Sequence, residues 1–479
     1  MDSKELCWLS ATELTAAYKA RTLSPVEATR AVLGRIDALN PRINAFCLVD
    51  HTSALADARA SEMRWTRGAP LSPVDGVPTG VKDLILARGW PTLRGSKSVD
   101  SSGPWKEDAP SVARLREAGA VLLGKTTTSE WGWKAVTDSP LNGITRNPWN
   151  LEMTPGGSSG GACAAAASGM GPLHLGTDAG GSIRIPASFC GLAGIKAHFG
   201  RVPAWPNSPM GNVAHIGPIT RDVQDCASLL EVISKPDPRD WMALPPSPAF
   251  IPEIRRNLRR AVMGMRVAYS PRLGYIKYVH PEVEAAVKRA VDVFAELGAI
   301  VEQADPGFED CGPLITTHWL ASARNTFIKL SQEKFDQLDS GLQQMVNEAA
   351  KYTIGDFLDY QQRRVAVGEA MGRFNTSYDL LLTPSVIMPA FEVGKVMPDP
   401  LQFGIDTSPT NWSWWSQFSS PFNLTQQPAI SVNCGFTSEG LPIGLQIVAP
   451  AFREDLALRG AYAYEIARGS FKWPEGTAS

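Results

Sequence analysis

Histidine is scarce in this chain, six in 479 residues. Cysteine is nearly as rare: seven, an odd number, scattered at Cys7, Cys47, Cys163, Cys190, Cys226, Cys311 and Cys434. No C-x-x-C pair occurs and no His–Cys group has metal-ligand spacing, so neither a zinc site nor a disulfide framework is read. Such thiol usage fits a reducing compartment, and a cytoplasmic location is expected. An excess of one charge is missing too. Lys+Arg number 46 against 48 Asp+Glu, a net charge of −2, which gives nucleic acid no basic footprint. No apolar run is long enough to span a membrane. The opening MDSKELCWLSATEL has no apolar core behind a basic start, so no signal peptide is read. The sequons at Asn375, Asn411 and Asn423 therefore carry little meaning. No G-x-x-x-x-G-K-[ST] loop is present to cradle phosphates, and no internal repeat is found.

What is there is apolar and glycine-rich. Hydrophobic residues make up 44% and charged residues 20%, enough for a sizeable core. The length allows several average domains or one large α/β unit. The chain is organised around Gly156 to Ser182, GGSSGGACAAAASGMGPLHLGTDAGGS. Nine of its 27 residues are glycine, and Asp178 is its only formally charged side chain. Gly180-Gly181 before Ser182 can bend so that successive N–H groups point into one space. Such a nest holds an anion, and beside a hydroxyl nucleophile it becomes an oxyanion hole. The run Ala162 to Ala167, broken only by Cys163, is helix-prone, and a helix starting near Ser159 aims its dipole at the same space. Gly-Gly-Ser repeats also mark flexible linkers. Here they enclose an apolar helix-forming run, which argues against a linker.

The same stretch contains a competing signal. Gly156-Gly157-Ser158-Ser159-Gly160 matches G-x-S-x-G, the nucleophile elbow of α/β-hydrolases. That elbow lies between a strand and a helix. Asn147 to Pro155 carries two prolines and no strand-like run. A Ser-His-Asp triad also needs a downstream histidine. None of His174, His198, His215, His280 and His318 sits in a telling context. An esterase of that class using Ser158 stays as an alternative. A cysteine nucleophile at Cys190 is the weaker reading against a small buried residue.

Taken in order, about Thr12 to Leu39 reads as helices, with Ser10 as N-cap and a break at Ser24-Pro25. Turn residues then lead into Val81 to Leu86, a short strand holding Lys82 in apolar company. A solvated lysine, with a pKa near ~10.4, is useless as a base at neutral pH. Desolvation favours the neutral amine. A lysine at a strand end is more often solvated or snorkelling. Asp108 to Ala120 reads as a helix and Val121 to Lys125 as a buried strand, which suggests α/β layering. Trp131 and Trp133 either line a pocket or pack. Arg184, two residues from Ser182, reads as a structural anchor. Pro236 to Pro252, with six prolines, reads as a surface connection. Met265 to Tyr269, Tyr378 to Thr383, Ala429 to Val432 and Ile443 to Val448 read as strands, Pro281 to Leu297 and Leu456 to Ile466 as helices. The loop-rich Pro384 to Ser420 holds Trp412, Trp414 and Trp415, either a binding surface or a core plug.

GGSSGG followed by GTDAGGSIRIPASFCG resembles the amidase signature family. GVPTGVKDLI (Gly76 to Ile85) and GLPIGLQIV (Gly440 to Val448) extend the likeness over most of the chain. The resemblance implies an α/β fold with one large mixed β-sheet covered by helices on both faces, in a single domain spanning 1–479. It implies a Ser–cisSer–Lys triad, with Ser182 as nucleophile, Ser158 behind a cis Gly157–Ser158 bond as bridging serine, and Lys82 as base. The backbone N–H groups of Ala179, Gly180, Gly181 and Ser182 would form the oxyanion hole. A helical segment at about 314–374 would cover the active site. No cofactor and no metal are implied. The expected partner is a small-molecule amide, with no nucleic acid and no membrane, and a homodimer stays open. Fourteen tryptophans favour an apolar or aryl amide, with esters or carbamates as further substrates and Trp131, Trp133, Gly157 and Trp414 as substrate contacts. One alternative within the family is the glutaminase subunit of a tRNA-dependent amidotransferase. That branch is expected to carry Arg-Gln after the nucleophile's Ile, whereas this chain reads Ser182-Ile183-Arg184-Ile185. A non-catalytic binding protein on an old enzyme fold is the reading from another class.

Overall fold

The computed structural model describes residues 2–246, 260–405, 411 and 413–474. Trp412 and the end of the six-proline connection, from 247 onward, lie outside the described residues. Thirteen strands are described: β1 (Phe46–Val49), β2 (Pro78–Lys82), β3 (Val121–Thr126), β4 (Asp138–Ser139), β5 (Gly143–Ile144), β6 (Leu173–Asp178), β7 (Ala193–Lys196), β8 (His215–Thr220), β9 (Arg266–Tyr269), β10 (Ile300–Gln303), β11 (Leu380–Pro384), β12 (Ala429–Phe436) and β13 (Pro442–Val448). Eleven join one sheet in the order β1-β3-β2-β6-β8-β7-β12-β13-β11-β9-β10, while β4 and β5 make a small ribbon. Runs β3-β2-β6 and β11-β9-β10 are parallel. The remaining pairings are antiparallel, so the sheet is mixed.

Helices cover both faces, as alternation along β13 shows. A Cβ on Gly444 would lie 2.5 Å from Ser188 Oγ, in the helix Arg184–Cys190. Ile447, three residues on and so on the opposite face, lies 3.6 Å from the Cβ position of Gly460 in the helix Glu454–Arg468. Local signals set the first helices. Ser10 and Glu13 cap Ala11–Ala20 reciprocally, and Ser24 and Glu27 do the same for Pro25–Ile43, which places the break where Ser24-Pro25 predicts it. Among the described residues no helix is long and apolar enough to cross a membrane.

Two departures from expectation bear on the site. The strand expected over Val81 to Leu86 ends at Lys82, because the Ile85 N–H turns back to Lys82 O at 3.0 Å and closes a turn. Lys82 is therefore the last residue of β2. Strand β6, inside the glycine-rich stretch, has no counterpart in the sequence reading. Its Leu-His-Leu-Gly-Thr-Asp lacks the β-branched pattern because the centre of the sheet leaves no room. A Cβ on Gly176 would lie 2.7 Å from Ile219 Cδ1 and 3.0 Å from Ser159 Oγ. The alanine run does form a helix, Gly160–Ala167, buried along its whole length. It packs against β6 and leaves Ser158 and Ser159 at its head.

Candidate active site

Lys82 is fully buried, and its amine meets three hydroxyls. Nζ lies 2.8 Å from Ser158 Oγ, 2.8 Å from Ser159 Oγ and 2.8 Å from Thr177 Oγ1. Ser159 is already committed. Its Oγ donates to Thr177 O at 3.1 Å and accepts the Thr177 N–H at 3.2 Å, so toward Lys82 it can only accept. Ser158 and Thr177 keep a proton to give. The other two fully buried lysines differ in this respect. Beside one hydroxyl, Thr92 Oγ1 at 2.8 Å, Lys125 Nζ bonds Ile85 O at 2.6 Å and faces Asp83 at 3.5 Å, and Lys196 Nζ bonds Gln427 O and, at 3.3 Å, Ala197 O. A carbonyl or carboxylate can only accept, which favours an ammonium, whereas a hydroxyl can also donate to a neutral amine. Burial pushes Lys82 well below the ordinary lysine value, and the Asp178 charge opposes this only in part. The Gly157–Ser158 peptide bond is cis.

Ser182 is nearly buried and heads the turn that enters the helix Arg184–Cys190. Its loop is folded over Asp178, whose carboxylate accepts the Gly181 N–H at 2.8 Å and the Ile183 N–H at 3.2 Å. This corrects the expected oxyanion hole. The Gly181 amide is engaged, while among the described residues no acceptor is bonded to the amides of Ala179, Gly180 or Ser182. Asp178 is itself gripped by Arg184, at 3.0 Å from Nε and 2.9 Å from Nη2. Burial alone would raise the Asp178 carboxyl, but the Arg184 guanidinium and the Asn423 amide hold it well below the usual carboxylate range. Arg184 also donates to Ser419 O and Gln446 Oε1, both at 2.8 Å, and to Asn423 Oδ1 at 2.6 Å. Ser419 Oγ donates to Gly180 O at 2.7 Å. Arg184 is thus the anchor expected of it. Breaking a fully buried pair leaves its partner uncompensated, so Arg184→Met is expected to cost about 3–5 kcal/mol in chemical denaturation. An unchanged denaturation midpoint would show that this network does not hold the loop.

Ser182 stands between two cavities. One, of about 190 Å³, is bounded by Trp133, Ile185, Ile315, Trp319, Leu320 and Met345 among others. The second, of about 110 Å³, contains Ser158, Thr177, Ala179, Arg94, Trp131 and His215 in its wall. Trp131 and Trp133 therefore fall on different sides of Ser182. The other two expected substrate contacts are corrected. Gly157 is packed against Val136, whose carbonyl carbon would lie 2.6 Å from a Cβ there. Trp414 is 1% exposed, lies 5.7 Å from the ring of Phe403, and lines neither cavity. Trp415 stacks on Phe189 at 5.7 Å, so these two tryptophans are a core plug. Their loop instead contributes Ser413, Ser416 and Ser420 to the larger cavity.

The sequence reading missed Thr177, Ser159, Asn423 and Arg94. Single polar residues in unpatterned surroundings offer no signal, although the isolation of Asp178 in its stretch did mark its neighbourhood. The elbow reading of Ser158 lacks its partners. No strand leads into it, and among the described residues the side-chain partner of Ser158 Oγ is Lys82 and not a histidine. Cys190 is fully buried and burial pushes its thiol up, away from thiolate chemistry.

Comparison with known proteins agrees with this geometry. The amidase family model matches residues 27–458. An acylamidase of Rhodococcus erythropolis is 36% identical over 98% of this chain and 97% of its own. A glutamyl-tRNA(Gln) amidotransferase subunit of Geobacter metallireducens is 34% identical over 97% of this chain and 98% of its own. The crystal structure of a bacterial aryl acylamidase of the amidase signature family superposes with a TM-score of 0.86 at 29% identity, covering 96% of each chain. A buried lysine facing serine hydroxyls at the edge of a glycine-rich loop, in a mixed sheet of this order and over this much sequence, has one reading: the chain belongs to the amidase signature family of hydrolases.

Proposed function

We propose that the protein hydrolyses the C–N bond of linear amides with an apolar or aryl group, through an acyl-enzyme on Ser182. The observation that carries the proposal is the 2.8 Å contact between a fully buried Lys82 amine and Ser158 Oγ. In this reading Lys82 is neutral and takes the Ser158 proton while Ser158 takes that of Ser182. Ser182 Oγ forms a bond to the acyl carbon, and the carbonyl electrons move onto oxygen. The amides of Ala179, Gly180 and Ser182 receive that charge. Collapse breaks the C–N bond, and Ser158 returns a proton to the departing nitrogen. Water, deprotonated by the same relay, then cleaves the ester and frees the acid.

The apolar preference is supported by the wall of the larger cavity, to which Trp133, Ile185, Ile315, Trp319, Leu320 and Met345 all contribute. Ile185 stands where the glutaminase branch is expected to carry glutamine. Residues from the helices Gly312–Phe327 and Ser340–Glu348 contribute much of that wall, which supports a specificity role for the 314–374 segment. A panel of apolar acyl p-nitroanilides, primary amides including glutamine, esters and carbamates tests the proposal. Apolar acyl anilides are expected to give the highest kcat/KM among the amides, by about tenfold or more over glutamine, the scale of one or two buried methylenes. Glutamine as the best amide would assign the glutaminase branch instead.

A further inference from the structure

The second cavity contains a charge with no countercharge. Arg94 lines it beside Ser158 and Ser182. Among the described residues no carboxylate, carbonyl or hydroxyl is bonded to its guanidinium. The Asp83 charge acts on Arg94 from outside the wall, but Asp83 is committed to Lys125 at 3.5 Å and the Gly95 N–H at 3.3 Å. The carboxylate in the wall, Asp178, is neutralised by Arg184 at 2.9 Å. Burial keeps His215 neutral. The cavity therefore has a net positive charge supplied by one side chain.

That side chain is held in place. Its guanidinium carbon lies 4.6 Å from the centroid of the Trp131 ring. Arg94 and Trp131 are both left-handed, at φ 57 and φ 51, and the Trp131 N–H donates to Arg94 O at 2.8 Å. Left-handed backbone is costly for residues with a Cβ and persists where the surroundings enforce it. The Trp131 indole N–H also lacks an acceptor among the described residues. A rigid, unpaired arginine in a semi-enclosed cavity matches a carboxylate, which it can bind with two parallel hydrogen bonds.

Orientation follows from the proposed relay, on which this inference rests. The proton goes back to the leaving nitrogen from Ser158, and Ser158 lines the second cavity rather than the larger one. The amine half of the substrate then occupies the side of Arg94, and the acyl half the apolar side. We infer that Arg94 binds a carboxylate on the amine half, so that the preferred substrates are N-acyl amino acids or acylated aminobenzoates with apolar acyl groups. Water adds across the C–N bond, hydroxyl to the acyl carbon and hydrogen to nitrogen. The products are a carboxylic acid and a free amino acid, and Arg94 remains a cation throughout.

The test compares 4-(hexanoylamino)benzoate with its neutral counterpart, the hexanoyl amide of 4-methylaniline. The intact protein is expected to favour the carboxylate by about 10- to 100-fold in kcat/KM, the range for a hydrogen-bonded charge. Arg94→Gln is expected to bring that ratio close to one, and Arg94→Lys to recover part of it. A ratio near one in the intact protein, or a ratio unchanged by Arg94→Gln, overturns the inference. Titration with 4-aminobenzoate and 4-methylaniline separates it from the hydrolytic reading. Tighter binding of 4-aminobenzoate that is lost in Arg94→Gln, with neither amide cleaved, supports the carboxylate site and refutes the hydrolysis. Cleavage of both amides with no binding difference does the reverse.

Discussion

Ser182→Ala is expected to lower kcat by about 10⁶-fold, the scale seen when a nucleophilic serine is removed from a relay. Labelling by a fluorophosphonate should vanish with it. Ser158→Ala is expected to cost less, about 10²- to 10⁴-fold, because it removes proton transfer but leaves the attacking alcohol and the amides of Ala179, Gly180 and Ser182. Its label should form slowly yet form. Gel fluorescence after exposure to the probe, with each variant's thermal melt as a folding control, reads both effects. The opposite pattern, with label lost in Ser158→Ala and kept in Ser182→Ala, would assign the G-x-S-x-G serine as nucleophile.

The second large effect lies with Lys82. Lys82→Met is expected to lower kcat/KM by about 10³-fold, within the range for losing a positioned base. The pH profile makes the sharper case. A protonated Lys82 has no lone pair for the Ser158 proton, so activity falls as pH drops through its folded-state pKa. Burial sets that value well below the ~10.4 of a solvated lysine, so the rate should rise and level off before pH ~10. A profile flat from mildly acidic to alkaline pH, or rising only above pH ~10, counts against Lys82 as base. The same displacement couples to stability. Between the folded-state value and ~10.4 the unfolded chain binds more protons at this residue than the native one, so native stability rises with pH there. It is lost as pH falls through the folded-state value. Burial lowers the pKa of Lys196 and Lys125 as well, so Lys82→Met should reduce the slope of that part of the melting-temperature profile without abolishing it.

How much of this was legible varied with the kind of signal. The Ser10 cap and the break at Ser24-Pro25 were read directly, because the structures behind them, Ser10 with Glu13 and Ser24 with Glu27, act over three residues. The helices Pro110–Glu117, Pro281–Glu296 and Glu454–Arg468 and the strands β3, β9, β11, β12 and β13, with full-sized apolar residues, were read to within a few positions. The centre of the sheet was not, since β6 and β7 use Gly176 and Gly194 where Ile183 and Ile219 press against the backbone. Tight packing there selects small residues and removes the alternation that marks a strand. The meeting of Lys82 with Ser158 spans 76 residues, and no local pattern predicts it. It entered through resemblance. Trp414 misled because a loop rich in aromatics can face a ligand or plug a core, and only burial separates the two. Arg94 gave no sign at all. In Thr92-Leu93-Arg94-Gly95-Ser96 it looks like any loop arginine, and the role inferred for it rests on a guanidinium that stacks on Trp131 and has no hydrogen-bond acceptor among the described residues.

The reach of Arg184 has a consequence for how the protein is made. Its guanidinium draws on Ser419, Asn423 and Gln446, which lie 235, 239 and 262 residues further along the chain. A nascent polypeptide that has emerged only as far as the middle of its length already holds Lys82, Ser158 and Ser182. It lacks the groups that fix the Asp178 loop beneath the reactive alcohol. On the function proposed above, hydrolysis is expected only once the segments carrying Ser419, Asn423 and Gln446 have left the ribosome and closed around that one side chain.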